Sequence, residues 1–161
     1  IRVLEFNARS GDPETQPILM RMQSDIVPVL EAVADGKLDS AAVTWDERPA
    51  VCVVIAAGGY PGRYRKGMAI EGLDEVRSLP DVQVFHAGTA FEGGRVVVNG
   101  GRVLGVTALG STIEYAIERA YDAAARIRWD GAYYRKDIGR KALNRMEQIP
   151  NPKSEARSKF K

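Results

Sequence analysis

Five polar side chains near the start of the sequence have the types and spacing to do chemistry: Glu5, Asn7, Arg9, Asp12 and Glu14. On a strand, Glu5 and Asn7 are two apart and project from one face. A carboxylate and an amide oxygen on one face are a donor pair for a hard cation, Mg2+ or Mn2+, which takes oxygen ligands. Arg9, two residues further on, reaches the same side, and its guanidinium fork suits a phosphate. Asp12 and Glu14 fall in or after the turn signal Ser10-Gly11-Asp12-Pro13, where they could bind an amine or a second cation. The plainer reading is an edge strand with its polar residues outward.

Three glycine-bearing loops are the next candidates. Gly58-Gly59-Tyr60-Pro61-Gly62 follows an apolar run, and such a loop lets backbone N–H groups approach a phosphate. It lacks the G-K-[ST] ending of a Walker loop and is not G-x-G-x-x-G, so a tight strand-to-loop turn is the alternative. His86 is the single histidine and precedes Ala87-Gly88-Thr89. Structural hydrogen bonding, ligand contact and catalysis are all open to it. In Gly100-Gly101-Arg102 the Asn99-Gly100 pair already accounts for the glycines as a hairpin turn. Arg102 is the residue that hairpin geometry does not require. No Ser-His-Asp spacing or zincin motif is present.

The 161 residues suffice for one ordinary domain, or a small domain with part of another. Hydrophobic residues make up 45%, too many for a disordered chain. The 23 basic and 21 acidic residues nearly cancel, which argues against a nucleic-acid binder. No run of about 18 apolar residues exists to span a membrane, and no secretory signal pattern is visible. Cys52 is the lone cysteine, with no zinc spacing around it. A reducing, cytoplasmic setting fits. The opening at Ile1, almost inside a strand-like run, reads as a fragment, a processed product or a trimmed chain.

The elements that must position these residues follow from periodicity. Residues 1–7 read as a short strand. Apolar spacings of three and four predict a helix over 15–34, kinked or split by Pro28 and stopped at Gly36. Residues 37–50 read as a connection. Runs at 51–57 and 82–86 predict strands. Residues 95–104 predict a hairpin about Asn99-Gly100, with its second strand continuing to 108. Ser111 and Glu114 have capping-box spacing at the head of a helix over 111–127. Its apolar stripe is Ile113, Ile117, Ala120, Tyr121, Ala124 and Ile127. Trp129, Tyr133 and Tyr134 are packing anchors. Residues 144–161 read as a loose tail.

Taken in order, several long segments resemble one family. Glu5-Phe6-Asn7-Ala8-Arg9, with Gly11-Asp12-Pro13-Glu14-Thr15-Gln16-Pro17 after it, resembles the signature of the glycinamide ribonucleotide synthetases (phosphoribosylamine–glycine ligases), ATP-grasp enzymes of purine biosynthesis. Ala56 to Gly62, Val84 to Thr89, Gly100 to Leu104 and Trp129 to Gly139 are similar to that family's C-terminal domain. Ser10 departs from the pattern, which usually has a bulky apolar residue there.

The resemblance implies a reaction in which ATP phosphorylates glycine and 5-phosphoribosylamine attacks the glycyl phosphate. It implies Mg2+ (or Mn2+) held by Glu5 and Asn7. Arg9 would lie on the transferring phosphate, with Asp12 beside it as the second catalytic candidate. Asp12 and Glu14 would lie near glycine and phosphoribosylamine. Gly58, Gly59, Tyr60 and Pro61, then His86, Gly88 and Thr89, then Gly101 and Arg102 would face the phosphoribosylamine side. The implied fold is α+β. Residues 1–45 would be the closing strand and helix of an ATP-grasp module, 46–143 a small, mostly antiparallel β domain with a packed helix, and 144–161 a flexible tail. The missing N-terminal portion of the same enzyme would be a required partner, and the chain alone would be inactive. A stand-alone, non-catalytic binding or interaction domain is the other reading.

Overall fold

The computed structural model describes residues 9–148. The strand expected at 1–7, with Glu5 and Asn7 on it, lies outside them, as do residues 149–161. Helices α1 (Thr15–Arg21) and α2 (Ile26–Ala34) open the described chain. A 3-10 turn (Leu38–Ser40) leads to strand β1 (Ala50–Ala57). Then come α3 (Leu73–Arg77), β2 (Val82–His86), β3 (Thr89–Glu92), β4 (Arg95–Val98) and β5 (Arg102–Leu109). The long helix α4 (Ile113–Arg126), the two-residue β6 (Ala132–Tyr133) and α5 (Arg140–Gln148) complete it. The class is the expected α+β.

β2, β5, β1 and β6 form one antiparallel sheet in that order, and β3 pairs with β4 in a second. The apolar runs at 51–57 and 103–108 become β1 and β5, the two central strands. Their alternation gives two faces. Val51, Val53 and Ile55 pair with Ala108, Val106 and Leu104 and bury against α4. Each large side chain fully buried here stabilises by about 1.5–3 kcal/mol. α4 meets the sheet through Ala116, Ala120, Ala123 and Ala124, all fully buried. The expected stripe omitted Ala116 and Ala123. On the opposite face α1 packs over β1 and β5, with Gln16 lying over Gly105 and Cys52. Burial pushes the Cys52 thiol pKa up.

A single irregularity in β5 sets the direction of Arg102. Ile55 pairs with Leu104 but Ala56 pairs with Arg102, so Val103 is an extra residue in the strand. A bulge of this kind reverses the face of the residue beyond it.

Several expectations are corrected. The helix over 15–34 is split, but at Met22–Asp25 and not at Pro28. Asp25 caps α2 by accepting from the Val27 N–H at 2.9 Å, and Pro28 falls in the first turn, where its missing donor costs nothing. Gly36 does end the helix, at φ +67, with Gly36 donating to Val33 and Lys37 to Ala32. The hairpin about Asn99-Gly100 does not form. β4 and β5 flank it but lie in different sheets, and the Asn99 and Gly100 N–H groups both donate to the Gly88 carbonyl. The tight hairpin is β3–β4, where Gly93 and Gly94 both have positive φ, as a two-residue primed turn requires.

The α4 cap is Thr112, not Ser111; its hydroxyl accepts from the Tyr115 N–H. Glu114 bonds Thr112, and that bond holds its carboxyl pKa down. Trp129 is buried as expected, but Tyr133 is 61% exposed. Residues 144–148 belong to α5. Among the described residues no helix is long and apolar enough to cross a membrane.

At the end of the sheet where β1 and β2 begin, Arg48 bonds both oxygens of Asp46 and one of Asp81. Arg119 of α4 holds the other Asp81 oxygen at 2.9 Å. The Arg48 side chain holds the Asp46 carboxyl below the usual carboxylate range. A lowered carboxylate pKa stabilises above the unfolded value and is lost as pH falls through the folded one. In urea titrations the unfolding midpoint should therefore drop as pH falls below the ordinary carboxylate range, and Asp46→Asn should flatten that limb. An unchanged acid limb in the variant would show that Asp46 does not anchor this end. The cap is tested separately: Thr112→Ala should cost about 1 kcal/mol, while Ser111→Ala should stay within about 0.5 kcal/mol.

Candidate functional site

Three loops that the sequence singled out meet at the other end of the sheet. β1 ends into Gly58–Gly62, β2 ends into Ala87–Gly88, and β5 begins from Gly100–Gly101. Antiparallel order puts all three together. Their glycines are used for contact between loops. A Cβ on Gly58 would stand 2.7 Å from the Gly131 carbonyl oxygen, and one on Gly88 would stand 2.6 Å from the Gly100 Cα. The Tyr60 ring covers the place where a Gly101 side chain would be. Close backbone packing thus accounts for these positions without a bound phosphate.

Arg102 is the centre of this end. The bulge at Val103 turns it from the α4 face to the α1 face, where it bonds the residues ahead of α1. Its Nη2 lies 3.2 Å from Asp12 Oδ2, and its Nη1 donates to the Asp12 carbonyl at 3.1 Å. Asp12 Oδ1 accepts from Gln16 Nε2 at 3.0 Å. The N-terminal motif and the third glycine loop, 90 residues apart in sequence, are thereby joined.

Beside this joint lies a recess of about 400 Å3 lined by Val54, Ala56, Tyr60, Pro61, Arg102, Tyr133, Tyr134 and Arg135. Its lining combines aliphatic Val54 and Ala56, three tyrosines and two guanidinium groups. Asp137 holds Arg135 at 2.9 and 2.6 Å, and Arg135 lowers the Asp137 carboxyl pKa in return. Such a recess suits a small ligand with an anionic group and an apolar edge. Arg135 and Tyr133 were not among the site residues read from the sequence. Their signal was the segment Trp129 to Gly139, whose turn through Gly131 returns the chain beside Gly58.

The remaining candidates separate. Glu14 Oε1 turns back to accept from the Gly11 N–H at 3.0 Å and so closes the turn before α1. Arg9 is exposed, with Nη1 donating to the Ser10 carbonyl at 3.4 Å. His86 pairs with Leu104 on the α4 side of the sheet. It lines a different recess, of about 350 Å3, with Asp74, Arg77 and Gln83 at its polar edge. Its Nδ1 is 3.1 Å from Thr89 Oγ1. Neither His86 nor Thr89 faces Arg102.

Oxygen donors for a hard cation are not assembled among the described residues: no three of His, Cys, Asp and Glu come together there. Asp12 is committed to Arg102 and Gln16, and Glu14 to the Gly11 amide. Glu5 and Asn7, the pair expected to hold a cation, lie outside the described residues.

Comparison with known proteins bears on the same segments. The family model described as phosphoribosylglycinamide synthetase, C domain, matches residues 50–141. The phosphoribosylamine–glycine ligase of Pseudomonas aeruginosa is 55% identical over 144 residues, covering 89% of this chain and 33% of that protein. The Rhodopirellula baltica ligase is 54% identical over 143 residues, covering 88% and 33%. The crystal structure of phosphoribosylamine–glycine ligase from Thermotoga maritima superposes with a TM-score of 0.64 at 34% identity, over 84% of this chain and 32% of that one. The chain thus spans about a third of the length of the relatives it matches. A domain match over residues 50–141, set within a longer match of 55% identity, means that this chain belongs to the phosphoribosylglycinamide synthetase family and carries its C domain.

Proposed function

We propose that this chain forms the closing side of the active site of an ATP-dependent ligase that joins glycine to 5-phosphoribosylamine. The observation that carries this reading is the Asp12–Arg102 joint, which fixes the N-terminal motif against the C-domain loops. The names of the relatives, all phosphoribosylamine–glycine ligases, supply the reaction. Residues 1–45 would close an ATP-grasp module and 46–143 would form the C-terminal domain, in a cytoplasmic purine-biosynthetic enzyme.

The chemistry would proceed in two steps. A glycine carboxylate oxygen attacks the γ-phosphorus of ATP, and ADP leaves. The amine of phosphoribosylamine then attacks the glycyl carbonyl carbon, phosphate leaves, and the nitrogen loses a proton to give glycinamide ribonucleotide. Both steps build negative charge on oxygens, which fixed cations stabilise. Mg2+, with Glu5 and Asn7 as its protein ligands from this chain, would supply part of that charge neutralisation. Arg9, next to the turn at Ser10–Pro13, would meet the transferring phosphate.

Asp12, with one oxygen on Arg102 and the other on Gln16, would hold Arg102 and the turn beside the reacting groups. Glu14 does the same for Gly11. The recess between Tyr60, Arg102 and Arg135 is the proposed seat of the ribose phosphate. His86, Gly88 and Thr89 would shape the loop behind it.

The test is a chimera in which this chain replaces the matching third of the Pseudomonas aeruginosa ligase. ADP release dependent on both glycine and phosphoribosylamine is expected. No turnover from the well-folded chimera would overturn the reading. Arg102→Ala should lower kcat/KM by about 10- to 100-fold, the loss of one charged contact, with Arg102→Lys recovering only part because a lysine cannot fork. Arg9→Ala should lower kcat by about 100-fold or more if it meets developing charge. By calorimetry, the chain alone should not bind Mg-ATP tightly, and tight binding would show that the nucleotide site does not need the rest of the relatives' length.

A further inference from the structure

The head of α1 touches β5 at two points. Arg102 takes the carboxylate and the carbonyl of Asp12. Four residues on from Asp12, Gln16 lies over Gly105, three residues along the same strand. Gln16 Nε2 donates to Asp12 Oδ1 at 3.0 Å and so links the two points. Asp12, Gln16, Gly105 and Arg102 close a ring between helix and strand.

The Gln16 point is costly to the fold in two ways. A glycine inside a strand loses more chain entropy than other residues and packs no side chain. Gly105 lies in the middle of β5, and a Cβ there would stand 3.2 Å from Cys52 Sγ and 3.9 Å from the Gln16 Cγ and Nε2. The second cost is Gln16 Oε1, which is buried with no hydrogen-bond partner among the described residues. An orphaned buried acceptor is destabilising. A carboxylate accepts and cannot donate, so the amide must turn its nitrogen to Asp12 and its oxygen inward. Packing alone does not ask for this: methionine, with similar reach and no amide oxygen, would fill the slot. A local cost of this kind beside a charged joint is the mark of a functional position.

We propose that Gln16 is a positioning residue for the ligase reaction. It fixes the Asp12 carboxylate and, through it, the Arg102 guanidinium. This rests on the ligase reading. With Arg102 as its single partner the carboxylate could turn about χ2, a broad torsion, and offer either oxygen. The bond from Gln16 stops that rotation. The seat over Gly105 in turn keeps the head of α1 from pivoting about the Arg102 joint. Gln16 acts only through Asp12, because its remaining oxygen is buried.

The test is Gln16→Met in the Pseudomonas aeruginosa chimera, which keeps the bulk and removes the donor. kcat/KM should fall about tenfold, while the urea midpoint stays level or rises because the orphaned oxygen is gone. Unchanged kcat/KM would overturn the proposal whatever the midpoint does. Where both fall, a cycle with Arg102→Ala decides. Once Arg102 is removed, Gln16→Met should cost little more, so the two losses are far from additive. Additive losses would mean that Gln16 does not act through Arg102, and would also overturn the proposal. An inactive parent chimera sinks the ligase reading instead. The same cycle is then read in this chain by urea unfolding, where coupled effects support the ring and additive effects overturn it.

Discussion

One extra residue in a central strand decides what the molecule can bring together. Were β5 regular through Val103, Arg102 would lie on the side of Leu104 and point into the layer beneath α4. The bulge sends it to the other face, where its two terminal nitrogens take the carboxylate and the carbonyl of Asp12. The side chains of Val103 and Leu104 are both buried, so the irregularity is fixed by apolar packing that water would have to invade to undo. A charged joint at the rim is therefore aligned by an uncharged core.

The glycines at this end act in the same cause. Gly58 against Gly131, Gly88 against Gly100 and Gly101 under Tyr60 let backbones and a ring approach where any side chain would intrude. Their composition resembles that of phosphate-cradling loops, and composition alone does not distinguish the two uses. Here the space a Cβ would fill is already occupied by the chain itself, which accounts for the glycines by close packing. The open volume lies next to them, between Tyr60, Tyr134 and the two arginines.

The central strands and the main helix were legible because each carries a period: apolar runs at 51–57 and 103–108, and a stripe through α4. Gly36 was legible because a left-handed residue after a helix is nearly always glycine. What was not legible depended on pairing choices that lie outside local sequence. Asn99-Gly100 has the chemistry of a tight turn, but its amides are taken by the Gly88 carbonyl, and the strands on either side go to different sheets. Gly93-Gly94 carried the turn instead. Ser111 and Thr112 are both able to cap, and the choice fell to the residue whose backbone is extended. At the site, Arg102 was identified as the residue that needed explanation, but its partner could not be read from sequence, because the bulge that aims it is a property of register. His86 was grouped with the same loops by proximity in sequence, and strand alternation sends it to the other face.

α4 meets the sheet through four alanines, and alanine has no side-chain rotamers. Most helix–sheet contacts have a cushion of side chains that repack when a neighbour changes. Here the helix offers a single methyl at each of these four positions, set against Val53, Ile55, Leu104 and Val106 of the sheet, with Ile113 and Ile117 packed beside them. The layer acts as a ruler rather than a spring. A larger residue at any of the four alanines would push the helix off the sheet, so the close approach of the two layers depends on these positions staying small. That places the tolerance of the fold at the end where the loops meet and its rigidity in the middle, so the geometry handed to those loops stays the same while their contents vary.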